Sequence, residues 1–176
     1  MKRRADILLV DGYNIIGAWP ELNQLKEHHQ LEDARDRLLD MLADYQGYTG
    51  MEVYVIFDAH QVPGRGATYK QHKLTVMFTK EKETADECIE RLCHELYSRR
   101  YNIYVATSDL VEQHVAFGQG ALRLSARELL NEVGHCRAMI RKKVKEDIHS
   151  NKRNTVDEII HVDVWSKLEQ MRRGEK

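Results

Sequence analysis

The stretch Asp6-Ile7-Leu8-Leu9-Val10-Asp11-Gly12-Tyr13-Asn14 sets the reading of the whole chain. Ile7 to Val10 is an unbroken aliphatic run, the pattern of a strand buried on both faces, as in parallel sheets. It ends on the carboxylate of Asp11, followed by Gly12, read as relieving the backbone at a sharp turn. In open parallel sheets ligands bind beyond the carboxyl ends of the strands. Asp11 is therefore expected where chemistry is done.

Working outward, similar runs recur at 52–57, closed by Asp58, at 74–78, and at 102–107, followed by Ser108-Asp109. A short fifth strand is expected at 121–124. Helical spacing of Leu31, Ala34, Leu38, Met41, Leu42 and Tyr45 predicts a helix over 31–48, with Gly50 as its stop. Thr84 and Glu87 are spaced as a capping box that opens a helix ending near Ser98, and a short helix is expected over 110–117. Ser125 and Glu128 form a second box, opening a long helix with Ala126, Leu129, Leu130, Val133, Ile140 and Val144 facing inward. Residues 12–30 and 59–72 read as loops, 146–155 as a linker or arm, and Asp163 as the cap of a last short helix. Strands alternating with helices imply an α/β fold with a central parallel sheet of about five strands. A domain over 1–145 is expected, with 146–176 as a basic linker and short C-terminal helix.

Composition narrows the function classes. The 176 residues suit one domain with a proper core. With 42% hydrophobic and 31% charged residues the chain is a soluble globular type, not a disordered one. No stretch approaches the roughly 20 apolar residues of a membrane helix, and no signal peptide is apparent, so a cytoplasmic protein is expected; a monomer is expected as well. Cys88, Cys93 and Cys136 form no CxxC pair and are expected as small buried apolar residues. The nine histidines show no HExxH pattern and are assigned no zinc. A net charge of −1 gives no global basic field, yet Arg137, Arg141, Lys142, Lys143, Lys145, Lys152 and Arg153 crowd one region. Such a stretch can follow an RNA backbone, or simply be a solvated helix end.

Asp11, Asp58, Asp86 and Asp109 all fall at element junctions on one edge of such a sheet. Each alone has an ordinary reading as a cap, a turn residue or a dipole partner. Together they form a set that repels itself unless a cation neutralises it. An all-oxygen set suits Mg²⁺ or Mn²⁺, weakly held and able to activate water at a phosphodiester. Asn14 can hold Asp11 or a phosphate oxygen. Tyr13 and Trp19 can stack bases or pack in the core. Lys80, Lys82, Arg65, Arg141, Lys142 and Lys143 are candidate phosphate contacts.

Leu8 to Asn14, Phe57-Asp58-Ala59-His60, Phe78-Thr79-Lys80, Thr84-Ala85-Asp86-Glu87, Ala106-Thr107-Ser108-Asp109, Phe117-Gly118-Gln119-Gly120-Ala121 and Ser125 to Leu130 resemble, in family order, the YacP-like branch of the NYN domains. The resemblance implies a PIN-like fold and a metal-dependent ribonuclease. It further implies an endoribonuclease that cuts messenger RNA during translation, entering the ribosomal A site. Asp11 and Asp86 then lead the catalytic, metal-binding set, supported by Asp109 and Asn14. Two other classes compete. One is a non-catalytic RNA or ribosome-binding module. The other is an aspartyl phosphatase, disfavoured because Tyr13 stands where such enzymes carry a second aspartate.

Overall fold

Strand β1 (Ala5–Asp11) is an inner strand of a six-stranded sheet, flanked by β2 (Glu52–Phe57) and β5 (Tyr101–Thr107), both parallel to it. The sheet belongs to a computed structural model that describes residues 5–59, 67–80, 82–97, 101–108 and 120–152. With β3 (Thr68–Gln71), β4 (Leu74–Phe78) and β6 (Leu122–Ser125) the order is β3-β4-β2-β1-β5-β6. Five strands are parallel, as expected. The sixth, β3, is antiparallel to β4 and lies in the stretch read from sequence as a loop. It was missed because Thr68-Tyr69-Lys70-Gln71 has no apolar alternation. Its hairpin turn, His72-Lys73, carries two positive φ angles without glycine, so it lacks the usual turn signature.

The loop expected at 12–30 is also replaced by structure. Helices α1 (Gly12–Ala18) and α2 (Pro20–Glu27) occupy it. Asp11 caps α1, and Pro20 opens α2 at a position that needs no amide proton. Each is too short for periodicity to stand out. Helix α3 (Leu31–Thr49) stops at Gly50, which takes the left-handed conformation at φ 73°. Both capping boxes form. In α4 (Ala85–Leu96), Glu87 N–H donates to Thr84 Oγ1 at 3.2 Å, and Thr84 N–H to Glu87 at 3.1 Å. The second box opens α5 (Ala126–Lys152), so residues 146–152 continue a helix where a linker was expected.

Strand alternation divides β1 between two cores. Leu8 and Val10 pack with α1, α2, α3 and the start of α5, while Ile7 and Leu9 pack with α4. Trp19 belongs to the first core, 1% exposed, its Nε1–H donating to Ala126 O at 2.8 Å. It is a core residue and has no face for a base. The three cysteines are free and buried, as expected. Among the described residues no helix is long and apolar enough to cross a membrane.

The chain divides into two units within α5, Met1–Arg137 and Ala138–Lys176. In the second, Val144 is half exposed, so the inward face expected to reach it ends earlier, at Cys136. The helices expected at 110–117 and after Asp163 lie outside the described residues.

Candidate active site

Crossovers bring the ends of β1, β2, β4 and β5 to one edge of the sheet, and short polar links tie them together. Asp11, only 7% exposed, accepts from the N–H of Asn14 at 3.2 Å. Asn14 Oδ1 in turn accepts from the backbone N–H of Ser108 at 2.8 Å and from the Ser108 hydroxyl. The turn after β1 is thereby fastened to the turn after β5. Buried Thr79 does the same for β2 and β4: its N–H donates to Phe57 O, and its Oγ1 accepts from Ala59 N–H, both at 3.0 Å. Ser108 and Thr79 were not singled out from sequence. Both stand at strand ends and inside the blocks that carry the family resemblance, but neither bears a charge that would mark it for chemistry.

Alternation also fixes the face on which Asp11 stands. Ile7 and Leu9 point to the α4 side, and Asp11 continues that row. Extending the Val10–Ala106 register sets fully buried Thr107 beside it. Asp86 lies in the first turn of α4 and is exposed, so topology places it at the same sheet edge and on the same face as Asp11. Asp58, half-buried, follows β2 at that edge. Asp109 and Arg65 lie outside the described residues. Among the described residues no group of three or more His, Cys, Asp or Glu side chains is gathered to hold a metal.

Gly12 owes its identity to packing. A Cβ there would lie 2.9 Å from Phe57 Cζ and closer still to two other ring atoms. Its φ is not positive, so the reading as relief of a strained turn is corrected. Tyr13 packs its ring on Phe57 at 5.0 Å, and its hydroxyl accepts from Arg35 Nη1 at 3.1 Å. Lys80 and Lys82 are exposed at this edge. Arg141, Lys142 and Lys143 are exposed on α5, Lys142 in a loose pair with Glu146 at 3.9 Å. Arg137, counted from sequence in the same basic region, pairs with Asp44 at 3.2 Å.

A model of the YacP-like NYN domain matches residues 8–173. The chain belongs to the YacP-like NYN family. It is 48% identical to protein YacP of Bacillus subtilis (strain 168) over 170 residues, covering 97% of this chain and 98% of that one. Crystal structures of Rae1 (YacP) from Bacillus subtilis agree with the fold. One has a TM-score of 0.75 at 48% identity, covering 97% of this chain and 96% of the other. A tryptophan-to-leucine variant gives 0.72 at 52% identity, covering 81% and 83%. NYN domains are generally nuclease-like.

Proposed function

We propose that this chain is a divalent-metal-dependent endoribonuclease that cuts messenger RNA on the translating ribosome. The observation that carries the nuclease reading is the buried carboxylate of Asp11 ending a central strand, with Asp86 at the same sheet edge. The messenger and the ribosome rest on the family likeness, and imply a cytoplasmic protein.

The donors suit Mg²⁺ or Mn²⁺. Asp11 and Asp86 offer only hard oxygen, and such ions accept one or two carboxylates while keeping several waters. We assign Asp11 and Asp86 as holders of the cation, with Asp109 and Asp58 in support. When bound, the ion supplies charge neutralisation at the phosphodiester and a more acidic water. The chain's own residues do the positioning. Asn14 N–H keeps the Asp11 carboxylate oriented, and the Ser108 bonds hold the Asn14 carbonyl, leaving its amide nitrogen to donate to a phosphate oxygen. Tyr13, Lys80, Lys82, Arg65, Arg141, Lys142 and Lys143 are assigned to the RNA.

A second reading, a binding module without catalysis, draws on the exposed cations Arg141, Lys142 and Lys143 of α5. Cleavage of ribosome-bound message by purified protein with Mn²⁺ separates the two. Wild type should cut, while Asp11→Asn and Asp86→Asn should not. Equal cutting by wild type and Asp11→Asn would remove the mechanism. Ribosome co-sedimentation without metal-dependent cutting by any preparation would favour the module.

A further inference from the structure

Arg35 is a part-buried cation with only a loose carboxylate neighbour among the described residues. Its side chain is 15% exposed, and its ion-pair partner Glu32 is 3.6 Å away and 90% exposed. Pairs of that kind contribute little. Three other arginines make closer pairs: Arg37 meets Glu21 at 2.7 Å, Arg91 meets Glu83 at 2.9 Å and Arg137 meets Asp44 at 3.2 Å. Arg35 is held instead by groups that leave its charge in place. Nη1–H donates to the Tyr13 hydroxyl, and the guanidinium lies 6.0 Å from the centroid of the Phe78 ring. A cation over a ring face is attracted without using its N–H donors. A guanidinium carries five of these, in a planar fork that matches phosphate oxygens.

The location makes those donors useful. Phe78 is the last residue of β4, and Tyr13 comes two residues after Asp11. Because α3 runs back to the start of β2, its first turns lie at the carboxyl edge of the sheet. The pair that fixes Arg35 comes from the turn after Asp11 and the end of β4, so the guanidinium stands at the same sheet edge on its α3 side, within the reach of a strand that extends past Asp11. Phe78 also continues a row of rings, from Phe57 at 5.4 Å to half-exposed Tyr69 at 6.4 Å, which stiffens the floor beneath the guanidinium.

We infer that Arg35 grips a backbone phosphate of the RNA strand at the Asp11 edge, with Tyr13 setting the plane of its fork. For its substrate class this rests on the nuclease reading. The test uses full-length protein carrying Asp11→Asn, so that binding is measured without cutting, and a short single-stranded RNA titrated across a range of salt. Adding Arg35→Gln should weaken binding and reduce the slope of log affinity against log salt by about 0.7, the loss of one phosphate contact. Arg35→Lys keeps the charge but not the fork, so it should keep the slope and bind more weakly. A Gln variant with the parent's slope and an intact near-ultraviolet circular dichroism spectrum would overturn the inference. Should the Gln variant fail to fold, the Lys variant decides, and parental affinity there would overturn it equally. Wild type that never cuts removes the nuclease reading and leaves this measurement standing. An unchanged slope removes the role of Arg35 and leaves the nuclease reading standing.

Discussion

At the scale of single residues, the candidate site is a set of small steric and polar decisions around Asp11. Gly12 shows how sharp they are. The Phe57 ring fills the space a side chain would need, and Phe57 is itself fully buried between strands. Gly12→Ala should therefore cost about 1–3 kcal/mol, the range for overpacking a well-filled core. Urea unfolding checks it, and the additional change Phe57→Leu should recover part of the loss. A Gly12→Ala protein as stable as wild type would show that the ring moves aside freely. The identities of Asp11, Gly12 and Asn14 could be read from the chain. Their partners could not, because Phe57 and Ser108 lie far away in sequence and nothing local marks them.

At the scale of elements, the long apolar runs and the capping residues were legible, and the short or polar pieces were not. β1, β2, β4 and β5 declared themselves as aliphatic runs, whereas β3, at the end of the sheet order, pairs among the described residues only with β4. The start of α5 gives a test of the capping box. Ser125 Oγ accepts from Glu128 N–H at 3.2 Å, and Ser125 N–H donates to Glu128 at 2.8 Å. The serine's hydroxyl, then its backbone N–H, hold the Glu128 carboxyl below its ordinary value of 4.5. A lowered carboxyl stabilises the fold above that ordinary value, and the contribution is lost as the pH falls through the lowered one. Ser125→Ala should cost about 0.5–2 kcal/mol near neutrality. The gap in melting temperature between wild type and variant should narrow as the pH falls from 4.5 through the lowered value, where the folded wild type also gives up the charge. A gap constant with pH would mean that the hydroxyl acts through the cap alone.

At the scale of the whole molecule, β1 is the strand on which both cores depend. Leu8 and Val10 serve one face and Ile7 and Leu9 the other, and all four are at most 1% exposed. Opening β1 must expose both cores at once. Native-state hydrogen exchange should then place the amides of Leu8, Leu9 and Val10 among the slowest, exchanging only with global unfolding, and those of edge strand β3 among the fastest in the sheet. Fast exchange in β1 would mean that the two cores come apart independently. By itself the sequence determined the α/β alternation, the strand that organises it and the acidic residues at its junctions, since hydrophobic period and capping are local properties of the chain. Only the tertiary structure decided which distant groups meet them: Phe57 under Gly12, Ser108 on Asn14, Tyr13 and Phe78 around Arg35. Such contacts are set by strand order and register, and these follow from packing the entire sheet.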